Sequence, residues 1–97
     1  MKALFISYNQ VHTEKVQRIL DHNHARGFTK WALTQGRGSE SGEPHYGTHA
    51  WPSMNSSVLT VVEDHLVDPL LEALRELDEE SPGQGLRAFV WDIERTI

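Results

Sequence analysis

The sequence contains no cysteine, which excludes disulfides, thiolate metal sites and cysteine nucleophiles. It also has no excess of basic residues: 9 Lys and Arg stand against 14 Asp and Glu, giving a formal net charge of −5. This balance argues against nonspecific binding to nucleic acid or to an anionic membrane surface. No apolar run approaches the roughly 18 residues of a membrane span, and the one near the N terminus is too short for a signal peptide. We therefore expect a cytoplasmic protein that neither binds nucleic acid nor inserts into a membrane.

Four short runs of apolar, β-branched or aromatic residues predict strands at residues 3–8, 29–35, 57–62 and 86–93. With 97 residues, the chain corresponds to a single domain spanning 1–97.

Apolar residues at helical spacing predict two helices between these strands. The first carries Val16 and Leu20, with Asn9 or Thr13 as its N-cap and Gly27 as its stop. The second begins near Asp64, carries leucines through residue 77 and is followed by a loop over 78–85. The order βαββαβ predicts an α+β, ferredoxin-like sandwich: a four-stranded antiparallel sheet with two helices on one face.

The other face of this sheet is expected to carry aromatic side chains. Trp31 and Leu33 alternate onto one face of the second strand, as do Phe89 and Trp91 in the last. A domain of this size cannot cover such a face itself, so another subunit is the simplest cover.

The long connection between strands two and three, about residues 36–56, has no hydrophobic periodicity. Residues 36–52 hold four of the seven glycines and two of the four prolines. Connections of about 20 residues are rare in small domains and are usually functional or disordered. The aromatics and histidines in this one favour a functional loop over a plain linker.

Histidines in the loop raise the possibility of a metal site. His45 and His49, with Glu43 just before them, offer imidazole and carboxylate ligands that suit Zn²⁺, Ni²⁺ or Cu²⁺. The alternative is that these are polar residues on a solvated surface. His22 and His24 could also chelate a metal, although interaction with the helix dipole is the favoured interpretation.

The remaining histidines and aromatics have simpler interpretations. His12 and His65 are expected to face solvent. Tyr46 and Trp51 either contact a ligand or partner or pack the loop onto the protein. No ordered Ser-His-Asp set is present, so an enzyme is not expected.

Several segments together resemble the PII signalling proteins and the wider PII-like group that includes CutA. Residues 27–29 are similar to the start of the second PII strand, and residues 35–38 to the entry of its T-loop. Residues 83–92 resemble the B-loop and the strand after it. Ser39 and Glu40 stand where the family has arginine and glutamine, so the resemblance does not extend to its 2-oxoglutarate site.

The resemblance implies a homotrimer that binds ATP or ADP in the clefts between subunits. One side of each cleft would be formed by residues at the second strand and the loop entry: Thr29, Gly36 and Gly38. The neighbouring chain would supply residues of the B-loop: Gly83, Gly85 and Arg87. Glycine N–H groups and a guanidinium both suit phosphate oxygens.

These observations lead to one expected function and two alternatives. The expected function is a non-enzymatic, PII-like regulator that senses an adenine nucleotide or a divalent metal. It would act on a partner, such as a membrane transporter or a regulatory protein, through its loop. The first alternative is a CutA-like protein of divalent-metal binding or tolerance, and the weaker one is an enzyme of the dimeric α+β-barrel type.

Overall fold

A computed structural model describes residues 1–97 and confirms the βαββαβ order. The elements are β1 (Lys2–Asn9), α1 (Thr13–His22), β2 (Phe28–Thr34), β3 (Asn55–Val62), α2 (Val67–Glu80) and β4 (Arg87–Asp92). Short 3-10 turns at Gln10–His12 and Asp64–Leu66 lead into the two helices. Neither helix is long and apolar enough to cross a membrane.

The strands form one antiparallel sheet in the order β2-β3-β1-β4, as the ferredoxin-like fold requires. β1 lies at the centre, with Phe5 opposite Leu59 of β3 on one side and Phe89 of β4 on the other. The two edge strands are therefore β2 and β4, and two strands separate them.

The core lies between the sheet and the two helices. Leu4, Ile6 and Tyr8 alternate along β1 onto the helix side, and all three are buried. The helices meet them with apolar stripes at helical spacing: Val16 and Leu20 from α1, and Leu70, Leu74 and Leu77 from α2.

The opposite face of the sheet is uncovered and aromatic, as the alternation predicts. Trp31, Leu33, Phe89 and Trp91 are all exposed, by 45–63% of their surface. Phe5 in the central strand contacts Trp31, with 6.4 Å between the ring centroids. We call these five side chains the open face.

The first helix ends earlier than predicted, at His22 instead of just before Gly27. The N–H of Ala25 donates to the carbonyl of Leu20 at 2.8 Å, and the N–H of His24 donates to that of Asp21 at 3.3 Å. With φ of +64° at His24, this is a Schellman C-cap. Glycine is preferred at the left-handed position but is not required there, so the prediction of Gly27 as the stop was wrong.

Two further expectations require correction. His12 is buried, not solvent-facing, and its Nε2 atom has no hydrogen-bond partner. The second helix continues through Glu80, so residues 78–80 are helical and only 81–86 form a loop before β4. Leu77 belongs to the buried stripe, and the glutamates after it favour helix, which explains the extra turn.

Candidate functional site

The long connection between β2 and β3 is divided into two lobes by backbone pairing. Gly36 and His45 each donate an N–H to the other's carbonyl, at 3.1 and 2.7 Å, and so close off residues 37–44, which we call the inner lobe. The N–H of Gly47 donates to the carbonyl of Ser53 at 2.9 Å and closes residues 47–53, the outer lobe. The connection therefore has its own hydrogen-bonded structure.

The inner lobe crosses the end of the sheet from one edge to the other. β2 ends at Thr34, whereas the loop before β4 lies at the far edge, roughly 14 Å away at a strand spacing of about 4.8 Å. Polar residues on the strands beneath the crossing are buried, including Asn9 at the end of β1 and Asn55 at the start of β3. Their amides supply hydrogen bonds that apolar residues at this end of the sheet could not.

His45 fixes the base of the inner lobe. Its Nδ1 lies 2.7 Å from Oδ1 of Asn55, and the Nδ2 of Asn55 donates to Oγ of Ser7 at 3.4 Å. Because the amide nitrogen is directed to Ser7, its oxygen is the acceptor and the Nδ1 of His45 is the donor. His45 is buried and its function here is to hold the loop.

At the far edge of the sheet, the inner lobe contacts residues 81–86, which we call the glycine loop. A Cβ placed on Gly38 would lie 2.5 Å from both the Cα and the carbonyl oxygen of Gly85, so no side chain fits there. Gly85 itself has φ of +74°, in the left-handed region that glycine tolerates best. Two glycines facing each other are what allow the two backbones to approach.

A cavity of about 270 Å³ opens beside this contact. No hydrophobic residue lines it. Its walls come from the inner lobe, the end of α2, the glycine loop and the first residue of β4: Gly38, Ser39, Gly42, Glu43, Asp78, Pro82, Gly83, Gly85 and Arg87.

Three backbone N–H groups in the cavity walls, those of Gly38, Gly83 and Gly85, have no hydrogen-bond partner within the chain. Gly83 and Gly85 both have positive φ, +89° and +74°, on either side of Gln84. Backbone N–H groups in such turns form concave sites that bind anions.

Arg87 supplies the one cationic side chain of the cavity. Its Nη1 donates to the carbonyl of Leu86 at 2.7 Å, and the guanidinium has no carboxylate partner within 4.0 Å. The glycine loop before it is anchored from the side by Gln84, whose Oε1 accepts from Nδ2 of Asn9 at 2.7 Å. Free backbone donors and an unpaired guanidinium together form a site suited to phosphate or another oxyanion.

The structure brings together four of the six residues predicted for a nucleotide site. Gly38, Gly83, Gly85 and Arg87 line one cavity, and they do so within a single chain. This differs from the expectation that the loop entry and the glycine loop face each other across subunits. Gly36 lies outside the cavity, packed against the Asn55 amide. Thr29 is exposed on β2.

The predicted metal ligands are not gathered into one cluster within the chain. The Nδ1 of His45 is engaged by Asn55, and His49 is exposed in the outer lobe. Glu43 instead lines the cavity beside the glycine loop. No group of three or more His, Asp or Glu side chains in the chain could hold a metal ion, His22 and His24 included.

Tyr46 and Trp51 do not line the cavity. Trp51 is 40% exposed in the outer lobe, where its backbone N–H donates to Oγ1 of Thr48 at 3.1 Å. Sequence reasoning missed four cavity residues: Ser39, Gly42, Asp78 and Pro82. Asp78 and Pro82 are close in sequence to Gly83 and could have been found from that proximity, whereas the other two depend on the crossing of the inner lobe.

The whole chain matches a known protein family. A sequence model of the family described as nitrogen regulatory protein P-II matches residues 1–97. The chain belongs to this family. Among curated protein sequences, none matches it at a significant level.

Solved structures agree with the assignment to the P-II family. One is CPII, a nitrogen regulatory PII-like protein from Thiomonas intermedia K12, bound to ADP, AMP and bicarbonate. It is 26% identical to this chain with a TM-score of 0.77, and the match covers 95% of this chain and 84% of CPII. CPII bound to ADP and bicarbonate is 27% identical with a TM-score of 0.76, over the same shares. A PII-like signalling protein from Thermus thermophilus has the same fold at 21% identity and a TM-score of 0.67, over 95% of this chain and 85% of that one.

Proposed function

We propose that this P-II family member is a non-enzymatic regulator that binds an adenine nucleotide in the cavity between the inner lobe and the glycine loop. The observation that carries the proposal is the contact of Gly38 with Gly85, because it forms a cavity walled by free backbone N–H groups and Arg87. These donors match the phosphate end of a nucleotide. CPII, which is similar over 95% of this chain, is bound to ADP and AMP.

The proposal includes a homotrimer, in which the open faces of three chains pack together. Large apolar side chains exposed on one contiguous sheet face are typical of an interface. The cavity also favours a neighbour: at about 270 Å³ it is smaller than the ~300–1,000 Å³ typical of sites for drug-sized ligands. It holds the phosphate end, and an adjacent subunit completes the space for the base and sugar. Thr29, exposed on the edge strand β2, is the predicted residue available on that second side.

Bicarbonate is included in the proposal as a second ligand. CPII is bound to it together with ADP, at 27% identity to this chain. A small oxyanion has the same requirement for N–H donors and a guanidinium as a phosphate group does.

The outer lobe is proposed as the surface that contacts a partner, such as a membrane transporter or a regulatory protein. It exposes His49 and Trp51, and it is joined to the cavity through the Gly36–His45 pairing. A ligand that binds one arrangement of the inner lobe better than another would shift the population of loop conformations available to the partner.

The test is the variant Arg87→Ala, with ADP binding measured by isothermal titration calorimetry. Loss of a charged hydrogen bond is expected to weaken binding by about 1.5–3 kcal/mol, or roughly 10- to 150-fold in Kd. The matched control is Arg95→Ala, since Arg95 is exposed and distant from the cavity. Undiminished ADP affinity in Arg87→Ala, with an unchanged thermal melt, would place the nucleotide elsewhere. A parent protein that binds no adenine nucleotide would refute the proposal.

A further inference from the structure

The charges that line the cavity are unbalanced. Arg87 is the one basic side chain in its walls, whereas Glu43 comes from the inner lobe and Asp78 from the last turn of α2. None of the three forms an ion pair within the chain. The walls therefore carry a net negative charge beside donors that attract anions.

The cavity is small enough for every wall charge to act on a bound group. A volume of 270 Å³ corresponds to a sphere of about 4 Å radius, well within the screening length of about 8 Å at physiological salt. A phosphate held by Arg87 and the glycine N–H groups thus lies close to both carboxylates. Each further phosphoryl group adds negative charge and repulsion, but the cavity offers no second cation to compensate.

Other charges nearby do not restore the balance. Arg37 flanks Gly38 but is exposed and outside the cavity walls. On α2, Asp78 is followed by Glu79 and Glu80, both exposed, and Lys15 of α1 approaches Glu80 at 3.9 Å without lining the cavity. The C-terminal end of α2 also carries the negative end of the helix dipole, which adds to the repulsion.

We infer that Glu43 and Asp78 make this cavity select adenine nucleotides by charge, favouring AMP and ADP over metal-free ATP. This inference rests on the proposed function. It assigns specificity to two carboxylates, while affinity comes from Arg87 and the backbone donors.

The experiment measures the Kd of AMP, ADP and ATP by calorimetry, with a chelator present, for the parent, Glu43→Gln, Asp78→Asn and the double variant. Removal of both charges is expected to tighten ATP binding about tenfold and AMP binding less than about threefold, since repulsion grows with ligand charge. Glu79→Gln is the control, an exposed acid one residue beyond Asp78 that does not line the cavity.

Two additional measurements test the electrostatic origin of the selectivity. In the parent, raising the salt concentration should reduce the preference for AMP over ATP, because exposed charges such as Glu43 are screened. Mg²⁺ neutralises part of the ATP charge, so it should also reduce the preference for AMP over ATP. Equal affinity of the parent for the three nucleotides, or equal changes for all three in the double variant, would overturn the inference while leaving the proposed function intact. Absence of any nucleotide binding by the parent would instead refute the proposed function itself.

Discussion

The Nδ1 atom of His45 donates a hydrogen bond to the side-chain oxygen of Asn55, at 2.7 Å, between the base of the long loop and the first residue of β3. Both residues are buried, by 97% of their surface in each case. The same amide contacts Ser7 through its nitrogen and packs against Gly36. One asparagine therefore joins the loop to the two central strands of the sheet.

Replacement of His45 by Ala is expected to destabilise the fold by about 1–3 kcal/mol, because it leaves the buried Oδ1 of Asn55 without a donor. Urea denaturation of the parent and the variant measures this change in the free energy of unfolding. His49→Ala is the matched control, since its exposed side chain should alter stability by no more than about 0.5 kcal/mol. Similar losses in both variants would contradict the structural function assigned to His45.

Replacement of Gly38 by Ala is expected to separate the inner lobe from the glycine loop. The new methyl group would lie 2.5 Å from backbone atoms of Gly85, which cannot move away as a flexible side chain could. We expect a loss of at least about 1 kcal/mol in stability together with weaker nucleotide binding. Gly27→Ala is the control, because a Cβ there meets no atom within 4 Å. Thermal unfolding measures the stability of the two variants, and calorimetry measures their affinity for ADP. Full ADP affinity in Gly38→Ala would contradict the expected loss of nucleotide binding.

The buried His12 predicts a loss of stability in mild acid. Burial chiefly, and then the nearby charge of Lys15, lower the pKa of His12 in the folded protein, while Glu80 acts in the opposite direction. Above about pH 6.5 the imidazole is neutral in both states. As the pH falls below that value, the unfolded chain takes up the proton first, so stability decreases until the folded pKa is passed.

His12→Leu should flatten this part of the pH profile when urea midpoints are measured between about pH 7.5 and 5. The exposed His65, replaced by Gln, serves as the control and should leave the slope unchanged. An identical slope in the parent and in His12→Leu would assign the acid sensitivity to other groups.

Replacement of Phe89 by Glu is expected to disrupt the proposed trimer. Phe89 is 58% exposed at the open face, and a carboxylate in the packed interface would lose its hydration without gaining a partner. Light scattering should give a trimer mass for the parent and a lower mass for the variant. Val11→Glu, at an exposed position in the turn before α1, should keep the parent mass. A monomeric parent at micromolar concentration would contradict the proposal.

Much of the fold could be predicted from local patterns. Which side chains face the core follows from the alternation in β1 and β4 and from the leucine stripe of α2. Four strands and two helices were therefore placed correctly. The end of α1 was not predicted correctly. Gly27 is a residue type that commonly ends helices, whereas the Schellman cap at His24 depends on backbone hydrogen bonds that no residue preference reveals.

The site was predictable only in part, because it depends on a crossing between the two edges of the sheet. The resemblance to the family identified Gly38, Gly83, Gly85 and Arg87 as candidates, and all four line the cavity. That Gly38 reaches the other three in the same chain follows from the path of the inner lobe over the ends of β3 and β1, which spacing along the sequence does not encode. The burial of His45 under that lobe is a consequence of the same path.

The separate closure of the two lobes has a consequence for how the loop can change. Residues 47–53 are closed off by the Gly47–Ser53 hydrogen bond and by the pairing of Tyr46 with Met54. The cavity walls belong to residues on the other side of the Gly36–His45 pairing. We expect substitutions or insertions at the tip of the outer lobe to leave the cavity walls in place. Under the proposed function, such a loop is an interchangeable module: a new target could be acquired in evolution, or grafted by design, onto an unaltered ligand site.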